Sequence, residues 1–348
     1  KFAKKNPAIA EANKLAIQAG YNYAANTHQF ANTYTVAPAP LEKGTYRSIS
    51  GNVATAWGLC AAAEKAGLPL FCGSYPITPA TVILEELAKR KDLGVKTVQA
   101  EDEIAGICTA IGAAFAGNFA VTTTSGPGLS LKSEALGLAV MTELPLVVVD
   151  VQRGGPSTGL PTKTEQSDLA QALYGRNGEC PVIVVAASSP SDCFHYAFEA
   201  GRLAMEHMTP VILLTDGFIA NGSEPWRIPA MKDYPAITPP IVDEAPEGGF
   251  MPYVRNENLA RGWAFPGKTG LEHRVGGLEK DCVKGCISHD PSNHQKMVRT
   301  RAEKVAKAVD DIPAQAVWGA PEGDLLVVGW GGTRGHLQNA VDQMRAEG

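Results

Sequence analysis

Four short runs in this chain combine residue types that bind anions or move protons. Tyr75-Pro76-Ile77-Thr78-Pro79-Ala80-Thr81 sets a threonine hydroxyl between two prolines, whose rings fix the backbone around it. A helix opening at residues 80–81 would turn its free amides toward an anion, while the plainer alternative makes Thr78 a helix cap. Ala100-Glu101-Asp102-Glu103-Ile104-Ala105-Gly106 places three acids ahead of small residues that continue through Gly112 and Gly117. Acids in a first turn ordinarily complement the helix dipole. Glu103, however, leads a face of alanine, glycine and isoleucine, and a carboxylate packed there needs a partner or a task. Thr122-Thr123-Thr124-Ser125-Gly126-Pro127-Gly128 ends a β-branched run with glycines that permit close backbone approach. Its amides can hold an anion or a polar ring, unless it is a plain strand-to-helix turn. Val151-Gln152-Arg153-Gly154-Gly155-Pro156-Ser157-Thr158-Gly159 puts a guanidinium at the head of a glycine-rich loop. There it can clamp a carboxylate through two parallel hydrogen bonds or serve in a structural ion pair.

The elements that must position these runs follow from periodicity. Apolar or β-branched runs at 68–72, 96–98, 119–124, 146–151, 182–186 and 211–215 read as strands. Helical patterns alternate with them at 52–66, 80–90, 102–116 and 129–142, and Ser189, Pro190 and Asp192 open one more. Continuously apolar strands between helices predict a parallel sheet covered on both faces, an α/β sandwich over about 50–222. All four runs then fall at the carboxyl ends of strands, where open α/β sheets bind ligands. Ahead of this sandwich, residues 7–25 carry a helical pattern and 26–50 read as a polar, proline-containing linker. Past Asn221, eight prolines from Pro225 to Pro266 mark an irregular stretch that wraps a surface or reaches a neighbour. A helix at 293–309 follows. An apolar strand at 324–330 then leads through Gly331-Gly332-Thr333 into another helix, which reads as the opening of a second α/β domain.

Composition narrows the function class. At 45% hydrophobic and 19% charged residues the chain can bury a core. Its formal charge of −5 includes no basic block or aromatic-interleaved stripe of the kind nucleic acids require. Apolar runs stay at strand length, well short of a membrane span, so a cytoplasmic protein is expected. Seven scattered cysteines, an odd number, fit reduced thiols and not a secreted disulfide framework. The chain begins with Lys1 and is expected to be a piece of a longer gene product at both ends. Two motifs are decoys. The run GWAFPGKT at 262–269 satisfies the phosphate-loop pattern without its strand and helix. Cys282, Cys286, His289 and His294 have spacing suited neither to zinc nor to an iron–sulfur ligand set.

In order and spacing, YPITP at 75–79, SGPG at 125–128 and RGGPSTG at 153–159 resemble the alpha subunit of 2-oxoacid:ferredoxin oxidoreductases. The resemblance covers 51–348, including HDPSNHQKM at 289–297 and GWGGT at 329–333, and AGYNYAA at 19–25 looks like the close of the family's gamma domain. It implies an α/β fold with a doubly wound, mostly parallel sheet of the thiamine diphosphate pyrimidine-binding type. The start of a second α/β domain, like the transketolase C-terminal one, would follow. The implied divisions are the end of a gamma-like domain at 1–25, a linker at 26–50 and the pyrimidine-binding domain at 51–230. A wrapping segment and helix at 231–320 and the start of the C-terminal domain at 321–348 complete them.

The family further implies thiamine diphosphate as cofactor, coenzyme A as acyl acceptor and ferredoxin as electron acceptor. Glu103 matches the glutamate that pairs with N1′ of the aminopyrimidine, with Gly112 nine residues on, as in thiamine enzymes generally. Ser125 and Gly126 would line the cofactor. Thr78 and Arg153 match the residues that hold the 2-oxoacid carboxyl and keto groups, and Tyr75 and Thr158 would line the same pocket. A GDG…N segment for Mg²⁺ and the diphosphate is absent, Thr215-Asp216-Gly217 is no substitute, and cysteines for a 4Fe–4S cluster are missing. These are therefore expected on a separate beta subunit, in an (alpha–beta)₂ assembly, with the alpha chain inactive alone. The RGGPSTG loop and the separate alpha chain point to 2-oxoglutarate. The alternatives are pyruvate or another 2-oxoacid, a plain thiamine decarboxylase or transketolase-like chain, and a non-catalytic scaffold or coenzyme A-binding subunit.

Overall fold

The chain folds as two units, Lys1–Gly44 and Thr45–Gly348. The computed structural model describes residue 4, residues 6–28, residue 32 and residues 34–347. The parts of the expected N-terminal segment and linker at 1–3, 5, 29–31 and 33 lie outside them, as does the last residue of the expected C-terminal segment. In the first unit, helix α1 (Pro7–Thr27) opens on Asn6, whose Oδ1 accepts from the Ile9 amide at 3.4 Å. Pro7 stands at the first turn, where a missing N–H costs nothing. The helix runs to Thr27, two residues beyond its expected end, and His28 caps it in the left-handed region.

The second unit begins with β1 (Tyr46–Ser50), α2 (Gly51–Ala66), β2 (Leu70–Ser74), α3 (Thr81–Ala88), β3 (Lys96–Gln99), α4 (Glu103–Phe115) and β4 (Phe119–Thr124). Next come α5 (Gly126–Leu131), α6 (Ser133–Thr142), β5 (Leu146–Gln152), α7 (Leu169–Tyr174) and β6 (Ile183–Ala186). The sandwich closes with α8 (Asp192–His207), β7 (Pro210–Asp216), α9 (Gly217–Asn221) and β8 (Ser223–Arg227). Six of the strands form one parallel sheet in the order β3-β2-β4-β5-β7-β6. From β2 the chain winds outward to β3, then crosses back to β4 on the other side. The order therefore reverses between β2 and β4, and a crevice opens at their carboxyl ends.

Alternation along β5 shows why both faces need cover. Val147, Val149 and Val151 pack into one cluster with Leu59 of α2, Ile83 of α3 and Phe194 of α8. Leu146 and Val148 pack into the other, with Ile107 of α4 and Leu136 of α6. This is the doubly wound α/β fold that the sequence pattern predicted.

Three local readings change. Residues 46–50, read as linker, form β1 and pair antiparallel with β8, which went unread; backbone pairing at an edge needs little apolar patterning, and Ile49 and Trp226 alone are buried on it. The helix expected at 129–142 is two, α5 and α6, meeting at Lys132. The strand expected at 324–330 does not form. Its apolar residues lie exposed, Leu325 at 83% and Val328 at 84%, and a strand requires a neighbour to receive its backbone hydrogen bonds.

The stretch after β8 is irregular, with a single 3-10 turn (Met231–Asp233), β9 (Ile241–Val242) and β10 (Trp263–Ala264) before α10 (Pro291–Lys307). It is fastened to the carboxyl end of α6, whose last carbonyls attract cations. Lys280 Nζ donates to Met141 O at 2.8 Å, and Arg261 Nε is shared between Thr142 O and Glu143 O, each at 3.1 Å. The fully buried Glu143 takes both arms of Arg255 at 2.6 Å and Lys304 at 2.5 Å. Burial works to raise its pKa, but Lys304 and Arg255 outweigh that and hold the carboxyl far below the usual range. Helix α11 (Arg334–Glu347) closes the chain, and the turn before it docks on β7, where Gly332 N donates to Asp216 Oδ2 at 3.1 Å.

Candidate functional site

The crevice between β2 and β4 is lined by the first three of the four runs, and the reason is steric. Helix α4 lies directly on the end of β2 because glycines face each other there. A Cβ on Gly73 would stand 2.6 Å from Gly106 O, and one on Gly106 would stand 3.3 Å from Ser74 Cα. Gly112, nine residues after Glu103, meets nothing within 4 Å, so the close approach belongs to Gly106. Asp102 caps the helix, its Oδ1 accepting from Ala105 N at 2.7 Å. That leaves Glu103, half-buried in the first turn, free to face the crevice.

Polar strand ends are tied in pairs. Ser74 Oγ stands 2.6 Å from Thr123 Oγ1, and the Tyr75 hydroxyl 2.9 Å from Thr124 Oγ1. Burial pushes the Tyr75 pKa up and the neighbouring Glu103 carboxylate adds to it, so this phenol stays protonated. Gly128 faces this group: a Cβ there would lie 2.2 Å from both Thr124 Oγ1 and Tyr75 Oη, and 3.0 Å from Glu103 Cγ. Only glycine leaves the three side chains room to converge. Ser125, fully buried at the head of α5, has no partner for its Oγ among the described residues. An acid, two hydroxyls and an unsatisfied serine gathered against a glycine suit a flat heteroaromatic ring with hydrogen-bonding edges, such as an aminopyrimidine.

Arg153, at the end of β5, is 5% exposed and reaches across the sheet end to donate to Thr78 O at 2.6 Å, leaving its Nε unpartnered. The Thr78 side chain is exposed and caps nothing; α3 has no side-chain cap, and Thr81 Oγ1 instead accepts from Ile77 N, ahead of the helix, at 2.8 Å. Gly126, Arg153, Ser157, Glu165 and Asp168 border an open depression of about 370 Å³ beside this pair. The glycine-rich loop closes on itself: Gly154 N donates to Lys163 O, Leu160 N to Gly154 O, and Gly155 N to Glu165 Oε2 at 2.8, 3.0 and 2.9 Å. Thr158 lies exposed on that loop, and no hydrogen bond among the described residues joins it to the others.

Three groups here escaped the sequence reading. Lys132 is fully buried, its Nζ 2.7 Å from Glu103 O and 3.2 Å from Thr122 Oγ1. Asp150 and Asp168 form a buried acid pair under Gly126, where a Cβ would lie 2.7 Å from either Asp168 oxygen. Burial first, then the Asp168 charge, pushes the Asp150 pKa well up, and neither Asp150 oxygen has a hydrogen-bond partner among the described residues. The signals were a lone lysine in a run of small and apolar residues and an acid inside an otherwise apolar strand.

Neither decoy survives. Lys268 of GWAFPGKT pairs with Asp243, and no helix follows the run. His294 pairs with Glu279 at 2.7 Å, and among the described residues no group of three His, Cys, Asp or Glu can hold a metal. No helix among them is long and apolar enough to cross a membrane.

Residues 62–287 match the family model described as pyruvate flavodoxin/ferredoxin oxidoreductase, thiamine diphosphate-binding. The chain is 57% identical over its whole length to the 2-oxoglutarate oxidoreductase subunit KorA of Mycobacterium tuberculosis, of which it spans about half, 53%. It is 37% identical to the 2-oxoglutarate synthase subunit KorA of Methanothermobacter marburgensis, over 86% of this chain and 78% of that one. A solved 2-oxoglutarate:ferredoxin oxidoreductase from Magnetococcus marinus, with 2-oxoglutarate, coenzyme A and succinyl-CoA bound, superposes with a TM-score of 0.88 at 36% identity. That match covers all of this chain and 59% of the other. A crevice at the sheet's reversal point, a glutamate packed against Gly128 and a family match across most of the sandwich together place the chain in the pyruvate flavodoxin/ferredoxin oxidoreductase thiamine diphosphate-binding family.

Proposed function

We propose that this chain supplies the aminopyrimidine side of a thiamine diphosphate site in an oxidoreductase that oxidatively decarboxylates 2-oxoglutarate, or runs the reverse, with coenzyme A and ferredoxin. The observation that carries the reading is the convergence at Gly128, where Tyr75, Thr124 and the Glu103 side chain close to within 3.0 Å of the missing Cβ. Bound there, thiamine diphosphate supplies the carbanion chemistry that lets a 2-oxoacid lose its carboxyl group. Glu103 holds the ring nitrogen and takes and returns a proton at its carboxylate. Ser125 and Gly126 line the ring, and the protonated Tyr75 hydroxyl fixes its orientation.

Arg153, buried and with Nε unpartnered, offers its guanidinium to the substrate carboxylate, and the exposed Thr78 hydroxyl offers a donor to the keto oxygen. Thr158 reaches the same pocket from the loop. The Mg²⁺, the diphosphate site and a 4Fe–4S cluster belong to a beta subunit in an (alpha–beta)₂ assembly in the cytoplasm. Within the chain, 51–230 forms the pyrimidine-binding domain, 1–25 the end of a gamma-like domain and 321–348 the start of a C-terminal one.

The test is dye reduction by the purified complex, with coenzyme A and a panel of 2-oxoacids, comparing wild type with Glu103→Gln. Turnover that requires both 2-oxoglutarate and coenzyme A and collapses in the variant is expected. Turnover with pyruvate alone corrects the substrate, and no oxidation of any 2-oxoacid by a cofactor-loaded complex refutes the reading.

A further inference from the structure

Lys132 is among the largest fully buried side chains in the molecule, and packing alone does not require an ammonium there. A methionine would fill the same channel without desolvating a charge. The charge also sits in an unfavourable place, since Glu103 is the first residue of α4 and a helix N-terminus repels cations. Yet Nζ donates to Glu103 O at 2.7 Å and Thr122 Oγ1 at 3.2 Å, and stands 5.0 Å from the centre of the Tyr75 ring. Its third N–H has no oxygen acceptor among the described residues. The ammonium thus touches the backbone of the acid, the ring of the neighbouring phenol and the strand that carries Thr124.

We propose that Lys132 is a positioning residue of this site: its charge anchors the first turn of α4 and keeps the Glu103 carboxylate turned toward Gly128. The proposal rests on the reading of Glu103 given above. The charged and titratable groups that face Lys132 are Glu103, Asp102 and Cys108 from α4, and Cys72 and Tyr75 from β2 and the loop after it; β4 contributes the neutral Thr122. Burial pushes the Lys132 pKa down to about 8, with Glu103 opposing that fall. The charge is present at neutral pH and is lost as pH rises through that value.

The experiment uses the complex with its partner subunit and compares wild type, Lys132→Met, Thr122→Val and Glu103→Gln. Turnover is followed against pH, together with exchange of the C2 proton of bound thiamine diphosphate for solvent deuterium in the absence of 2-oxoacid. For Lys132→Met, kcat and C2 exchange are expected to fall together by roughly 10- to 100-fold, the cost of a misplaced acid. KM for the 2-oxoacid should hold within about 2-fold, because Arg153 is untouched. The wild-type alkaline limb near pH 8 should vanish in this variant. Thr122→Val removes one acceptor and leaves the fold in place, so the limb should move to lower pH; this arm decides the matter if Lys132→Met does not fold. Wild-type kcat in Lys132→Met with an inactive Glu103→Gln, or an alkaline limb unmoved in Thr122→Val, overturns the proposal alone. Full activity in Glu103→Gln overturns it together with the reading beneath it.

Discussion

Replacing Gly128 with alanine probes the whole arrangement through a single methyl group. The new Cβ would lie 2.2 Å from both Thr124 Oγ1 and Tyr75 Oη, where ordinary contact begins at 3.4 Å. Neither hydroxyl can swing aside, because Tyr75 is 4% exposed and bonded to Thr124 at 2.9 Å, and Thr124 is itself fully buried. The methyl must displace them, or lift the start of α5, by about 1 Å. Overpacking of this kind costs about 1–3 kcal/mol, and an error of that size at a reacting centre costs about 100-fold in rate. The assay is kcat for dye reduction by the intact complex, with the thermal midpoint beside it. Activity should fall about 100-fold while the midpoint drops by only a few degrees. Gly137→Ala is the control: inside α6, its Cβ meets nothing nearer than Cys180 Sγ at 4.0 Å. That change should leave kcat alone and stabilise by up to about 1 kcal/mol. Wild-type kcat and midpoint in Gly128→Ala would refute the inference that glycine is needed for Tyr75, Thr124 and Glu103 to meet.

Two further outcomes are expected. Glu143→Gln leaves Arg255 and Lys304 without their anion and should destabilise by roughly 3–5 kcal/mol in chemical denaturation. Because the folded pKa of Glu143 is depressed, the stability it brings is complete above the ordinary glutamate value of 4.5 and is lost as pH falls below it. Asp150 behaves in the opposite sense. Its folded pKa is raised, so stability is complete at low pH and is lost as pH rises through the folded value. Asp150→Asn should therefore have a flatter midpoint-against-pH curve than wild type, with its advantage growing on the alkaline side; identical curves would dismiss the raised Asp150 pKa.

What the sequence disclosed was governed by range. Apolar strands and small-residue helices are local patterns, and they located nearly every element of the sheet to within a few residues, together with the end at which the loops gather. The relations among those loops are not local. Thr78 could be placed beside Arg153 only through its family resemblance, and the contact found runs through the backbone carbonyl of Thr78 and not its hydroxyl. The small residues of α4 suggested tight packing without saying which one makes it; Gly106 does, while Gly112 meets nothing within 4 Å, because the approach distance depends on the partner strand. Asp150 stood in plain view inside an apolar run, but Asp168 is 18 positions away, and nothing local joins them. The strand expected at 324–330 had the right composition and no ladder to enter.

The self-contained closure of the loop after β5 has an evolutionary consequence. Its hydrogen bonds run from Gly154 and Gly155 to Leu160, Lys163 and Glu165, all within the loop, whereas the acid and its hydroxyls are held by β2, β4 and α4. Under the proposed function, a lineage could therefore exchange the loop's far side and alter which side chain of a 2-oxoacid is accepted, without disturbing Glu103 and its neighbours. Diversification of substrate under a constant reaction is the kind of history such an arrangement permits.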